Sequence, residues 1–266
     1  MRAVVVILTI VGIIVSIGAL YEVESSLSDG MCNVAVLPIE GTILPFYGLV
    51  DVPLTITPEV VENFMFAAED EATIQAVLIE VNSPGGTPVA SQRIAERIRA
   101  SSLPAVGLIG DVGASGGYMV AAATDYLIAS AMSDVGSIGV SMSYLEESQK
   151  NEAEGLTYVQ LTTGKFKDIG SPNRPITDEE RELLQKDLDI VHEEFISLIS
   201  RYRDMNFDAV EILADGSTMT GKRALENNLI DEVGGRAEAT FALAAILGID
   251  PADITYCEYK RNLLPF

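Results

Sequence analysis

Ser115 stands in Gly113-Ala114-Ser115-Gly116-Gly117-Tyr118, between the apolar run Val106-Gly107-Leu108-Ile109 and the helix-forming run Met119-Val120-Ala121-Ala122-Ala123. An apolar run, a glycine-bounded serine and a helix-type run predict strand, tight turn and helix. That order sets the Ser115 hydroxyl at a helix N-terminus, where unpaired N–H groups and the positive end of the dipole favour an oxyanion. An ordinary N-cap serine occupies the same kind of place, so catalysis at Ser115 requires a base. His192 is the single histidine. It lies between Val191 and Glu193-Glu194 in a helical pattern, which predicts a partly exposed or ion-paired side chain rather than a triad member. Lysine is the remaining common base, and Lys165 and Lys167 sit together in Thr162-Thr163-Gly164-Lys165-Phe166-Lys167-Asp168-Ile169-Gly170-Ser171-Pro172. A lysine acts as a base only when neutral, and lowering a pKa from about 10.4 to near 7 takes roughly 4 to 5 kcal/mol. An apolar, water-excluded pocket supplies that, while a carboxylate partner opposes it. In an extended segment the two lysines share a face and Asp168 points away from Lys167. Periodicity does not choose between the lysines.

The elements that must position these residues alternate. Residues 34–37, 76–81, 105–109, 126–129 and 157–161 read as strands. Pro58 and Pro88 each open an amphipathic stretch, as proline in a first helical turn does. Thr177-Asp178-Glu179-Glu180 is a capping box before Leu184, Leu188, Val191, Phe195, Leu198 and Tyr202, which recur at helical spacing and predict a long helix. Helices near 208–214 and 221–227, a short strand at 229–231 and a last helix near 237–247 complete the pattern. Strands alternating with helices predict an α/β domain with a mainly parallel sheet.

Composition narrows the function. A net charge of −22 over 266 residues argues against nucleic acid as a partner, because a phosphate backbone is met by clustered Lys and Arg. Cys32 and Cys257 lack the spacing of a zinc or redox motif, and a disulfide between them stays open. One histidine cannot build a histidine-rich metal site, and no cofactor is expected. Residues 3–20 carry no charge and span roughly 27 Å at about 1.5 Å per residue, near the thickness of a bilayer core. We read residues 1–21 as a membrane anchor and 22–32 as a spacer. Arg2 precedes the segment and Glu22, Glu24 and Asp29 follow it, which puts the rest of the chain on the extracytoplasmic side. Ser16-Ile17-Gly18 offers the competing reading of a cleaved signal peptide.

Four separated motifs together resemble the SppA family of Ser-Lys signal peptide peptidases: Asn82-Ser83-Pro84-Gly85-Gly86, Ala114-Ser115-Gly116-Gly117-Tyr118, Gly136-Ser137-Ile138-Gly139-Val140 and Lys167-Asp168-Ile169-Gly170-Ser171-Pro172. The resemblance implies Ser115 as nucleophile, Lys167 as general base, Ser137 as the hydroxyl that orients the lysine, and the amides of Gly86 and Gly116 as the oxyanion hole. It implies a Clp protease/crotonase-like fold of repeated ββα units over a protease domain at 33–250, followed by a C-terminal tail at 251–266. Remnant signal peptides and other apolar peptides are the implied substrates. A homo-oligomeric ring with each site near a subunit boundary is the implied assembly, held at the cell membrane by a single pass. A stomatin-partner type of membrane Ser-Lys protease, a crotonase-type enzyme of acyl-coenzyme A, and a catalytically silent scaffold of the same fold are the rival readings.

Overall fold

The computed structural model describes residues 31–46 and 54–258; the expected membrane segment and most of the spacer lie outside them. Among the described residues no helix is long and apolar enough to cross a membrane. The framework is a sheet of nine described strands. Its centre is β1 (Val34–Ile43), β3 (Ala76–Gly86) and β4 (Ala105–Ala114), all parallel. These strands are buried on both faces, as parallel strands covered by helices must be. Side chains alternate across the pleat. Ala35, Leu37, Val77 and Ile79 pack toward α1 (Pro58–Asp70), α2 (Pro88–Arg99) and α3 (Gly116–Ala122), whereas Val34, Val36, Leu78 and Val106 pack toward α8 (Arg236–Leu247).

Beyond the centre, β4 forks. Its residues 106–109 pair with β5 (Tyr126–Ala129), and its last three residues pair with β6 (Asp134–Gly136). β5 pairs with β8 (Glu232–Val233), and β6 pairs with β7 (Thr218–Thr220) in the one antiparallel ladder among the described strands. At the opposite edge, β2 (Thr55–Ile56) and β9 (Tyr256–Glu258) both lie along β1. Residues 256–258, read from sequence as part of a tail, thus add an edge strand, and a disulfide joins Cys257 to Cys32 just ahead of β1.

Three expectations change. The ββα order is met at β1–β2–α1, but α2 and α3 each follow one long strand. Register shifts at residues 40–42 of β1 and 81–83 of β3 let single strands bend and continue where two short ones were expected. Residues 229–231 form no strand; Leu229 and Ile230 are buried, and the paired residues come next, at Glu232 and Val233. Residues 157–161 also form no strand. Their β-type composition is unmet because no neighbouring strand reaches them, and Val159 and Leu161 are 74% and 93% exposed.

That segment belongs to an arm. From residue 141 to residue 179 no side chain is buried, although Met142, Leu145, Leu156, Val159 and Leu161 are large and apolar. The arm holds only α4 (Ser148–Ala153) and returns to the body through α5 (Asp178–Tyr202). The capping box at Thr177 starts α5 as the sequence requires, and Phe195, Ile196, Leu198 and Ile199 bury its second half.

Candidate active site

Three adjacent parallel strands end side by side. β3 ends at Gly86, β4 ends one residue before Ser115, and β6 ends one residue before Ser137. Open α/β sheets bind ligands at such carboxyl ends. Ser115 is the single residue between β4 and α3, with φ 52° and ψ −125°. A serine at positive φ is uncommon, and here the surroundings hold it: its N–H donates to Gly136 O at 2.7 Å, and its carbonyl accepts from Met119 N at 3.0 Å. All seven residues of α3 are buried, as expected of a helix apolar all round. Tyr118 pins it further by donating to Leu229 O at 2.8 Å, and burial pushes its phenol well above the usual range.

Gly116 opens α3, so its N–H has no acceptor within the helix. The Gly85–Gly86 turn comes against it. A Cβ on Gly85 would stand 2.7 Å from Gly116 N and 2.9 Å from Ser115 Cβ, and one on Gly116 would stand 3.3 Å from Gly86 N. Gly85 also has φ +98°, so both its conformation and its surroundings require glycine. Buried Ser83 fixes this turn: its hydroxyl donates to Gly41 O at 2.6 Å and accepts from Gly85 N at 3.1 Å.

Ser137, also at positive φ (51°), donates its hydroxyl to Gly216 O at 3.0 Å. It lines the same cleft of about 510 Å³ as Gly86, Ser115 and Gly116. Met119, Val140, Leu188, Val191 and Phe195 are apolar parts of the cleft lining, and Ser141, Gln185, Asp189, His192 and Asp215 add polar side chains to the two serines. Ser217, through its hydroxyl and its amide, holds the Asp215 carboxyl below the usual carboxylate range.

Sequence reading missed that α5 walls this cleft. His192 is partly exposed, as expected, and makes no ion pair; its Nε2 is shut from solvent with no hydrogen-bond partner among the described residues. The usable signal was the spacing of Leu188, Val191, His192 and Phe195, one stripe of the α5 pattern. Gln185 and Asp189 extend that stripe and bond to each other at 2.7 Å.

The lysines lie elsewhere. Lys167 is exposed on the arm and is not among the residues lining the cleft. Its segment is not extended: Lys167 N donates to Gly164 O, Ile169 N to Phe166 O and Ser171 N to Asp168 O, a chain of tight turns favoured by the glycines and Pro172. The two lysines also differ. Lys165 forms an ion pair with Glu179, whereas Lys167 Nζ has no partner among the described residues. Asp168 forms no ion pair with Lys167 among the described residues and is engaged by Arg174 and Tyr158.

Residues 97–250 match the model of peptidase family S49. The chain belongs to this family. Among similar proteins, one of Methanocaldococcus jannaschii provisionally named a protease is 34% identical over 75% of this chain and 65% of its own length. A protein of Enterococcus faecium provisionally named signal peptide peptidase SppA is 32% identical over 74% of this chain and 58% of its own. The chloroplastic serine protease SPPA of Arabidopsis thaliana is 30% identical over 80% of this chain and 32% of its own. The chain therefore spans less than two thirds of the length of these relatives. The S49 model covers Ser115, Ser137 and Lys167, while Gly86 lies ahead of the matched residues.

Proposed function

We propose that this chain is a serine endopeptidase in which Ser115 is the nucleophile and Lys167 the general base. The observation that carries the reading is the strand-end geometry: a serine at positive φ, rigidly bonded to β6, with the Gly86 and Gly116 amides beside it. Outlying backbone angles in a cleft are where catalytic strain is stored, and two N–H groups beside a nucleophile are what a tetrahedral oxyanion needs.

The chemistry is acyl transfer. The neutral amine of Lys167 takes the Ser115 proton as Oγ attacks the peptide carbonyl carbon. The oxyanion is held by Gly86 N–H and Gly116 N–H. The resulting ammonium gives its proton to the leaving amine, and the same lysine then deprotonates the water that hydrolyses the ester. Ser137 already donates to Gly216 O, so its oxygen lone pairs are left to accept an N–H of an entering amine. That contact aims the lysine lone pair at Ser115.

Lys167 reaches the cleft from a second copy of this chain. In one chain it is exposed and apart from the cleft, and the exposed apolar side chains of the arm supply a surface that a neighbouring copy covers. Burial in that contact also removes the water that would keep the amine protonated.

Substrates are apolar peptides such as signal-peptide remnants, which Met119, Val140, Leu188, Val191 and Phe195 meet in a cleft of mixed polarity. Residues 1–21 anchor the enzyme with its catalytic part outside the cytoplasm, a location favoured by the Cys32–Cys257 disulfide. The test is hydrolysis of an apolar signal-peptide-like substrate by the full chain, with fluorophosphonate labelling. Both are expected in the wild type, and Ser115→Ala abolishes both; labelling that survives Ser115→Ala overturns the reading.

A further inference from the structure

The acid next to Lys167 in the chain is engaged by one arginine. Arg174 Nε donates to Asp168 Oδ2 at 3.1 Å, and its Nη2 donates to the Asp168 carbonyl at 2.9 Å. The same guanidinium grips Glu180 with both terminal nitrogens, at 2.9 and 2.6 Å. Glu180 is itself fixed at the start of α5, where it accepts from Thr177 N and Thr177 Oγ. The other oxygen of Asp168 accepts from the Tyr158 hydroxyl at 2.9 Å. In an arm without buried side chains up to residue 179, this knot is well shielded: the side chains of Arg174, Asp168 and Glu180 are 22%, 19% and 5% exposed.

We propose that Arg174 is a positioning residue for catalysis, which keeps Asp168 turned away from the Lys167 amine and so leaves that amine free to act as a base. The proposal rests on the Ser115–Lys167 reading. The charged groups around Lys167 come from the cleft it enters, where Asp189 is bonded to Gln185 and Asp215 to Ser217 and both stay constant in every variant below, and from its own arm. Lys165 and Glu179 neutralise each other, Arg174 holds Asp168 and Glu180, and the Tyr158 hydroxyl is spent on Asp168. Once Arg174 is lost, Glu180 keeps both Thr177 donors, whereas Asp168 keeps only Tyr158. Asp168 is therefore the acid released next to Lys167. An opposite charge within about 4–6 Å favours the protonated amine, the inactive form of a general base.

The experiment measures the pH profile of peptide hydrolysis, and of fluorophosphonate labelling, for the full chain and for Arg174→Gln, Asp168→Asn and the double variant. Arg174→Gln should move the rising limb up by about one pH unit, so that below the midpoint the rate falls about tenfold while the high-pH plateau changes little. Adding Asp168→Asn should return the midpoint to the wild-type position. Arg174→Lys keeps the charge but cannot bridge two carboxylates in a planar fork; it should give a smaller shift in the same direction, and it serves if the glutamine variant does not fold. A lowered plateau with an unmoved midpoint, or a shift that Asp168→Asn leaves in place, overturns the proposal and leaves Arg174 a structural residue. A Lys167→Ala protein with the wild-type rate and profile signals a different failure, that of the Ser-Lys reading, and takes the proposal with it.

Discussion

The two halves of the candidate site are built in opposite ways. Ser115, Gly86, Gly116 and Ser137 sit at the ends of strands buried on both faces, and the helix that follows Ser115 is buried along its whole length. Lys167 sits on an arm of nearly forty residues with no buried side chain, ordered by turns and one arginine knot. The contrast fits the demands of the chemistry. An oxyanion hole works through preorganised donors that do not move during reaction, and a sheet core supplies them within each chain. A neutral lysine needs removal of water, which an exposed arm acquires only by contact with another surface. On the proposed Ser-Lys reading, nucleophile readiness is thus a property of the single chain, while base readiness is a property of the proposed assembly.

This division can be broken most severely at the reacting groups. Ser115→Ala and Lys167→Ala should each lower peptide hydrolysis by about four orders of magnitude or more, whereas Lys165→Ala, which removes an exposed ion pair, should stay within about threefold of wild type. On the rigid half, Gly85→Ala forces a side chain onto Gly116 N in a conformation that favours glycine. Steady-state kinetics should show kcat lowered by about 10²–10³ with KM much less affected.

Smaller effects sharpen the contrast without touching the chemistry. Replacing Cys32 and Cys257 by serine removes a bond that closes the β9 edge onto β1, and should cost about 2–5 kcal/mol in denaturant unfolding while leaving kcat at 25 °C unchanged. On the arm, Arg174 and the Thr177 amide hold the Glu180 carboxyl at about 2, against an ordinary 4.5. A depressed carboxyl stabilises the folded state above its unfolded pKa and loses that contribution as pH falls toward the folded one. Stability gained from Glu180 should therefore be full above about pH 4.5 and vanish by about pH 2. Acid titrations of Glu180→Gln, followed by circular dichroism, should show a shallower loss through that window.

Much of the fold was legible because its signals are local. The prolines at 58 and 88 open α1 and α2, and the Thr177–Glu180 box opens α5. The residue order around Ser115 gave strand, turn and helix as found. Failures fell where the outcome depends on partners distant in the chain. Residues 157–161 have strand composition, but no strand among the described residues pairs with them. His192 is partly exposed as its neighbours implied, but only the packing of α5 over the strand ends brings it to the cleft. Periodicity left Lys165 and Lys167 equivalent, and what sets them apart in the structure, an exposed ion pair of Lys165 with Glu179, joins residues fourteen apart. Ser83 was quoted only as part of a motif; its support of the Gly85 turn depends on Gly41, forty-two residues earlier.

The measurement that goes most directly to a site shared between copies is complementation of two dead variants. Ser115→Ala and Lys167→Ala are co-expressed as full chains, purified as mixed assemblies, and assayed on an apolar peptide beside each variant alone. An intact Ser115 cleft facing an intact Lys167 arm from the other variant should restore a substantial fraction of wild-type hydrolysis. Mixed assemblies that stay as inactive as either parent, although both variants are present in the same oligomer, would contradict the shared site and place the base of Ser115 within its own chain.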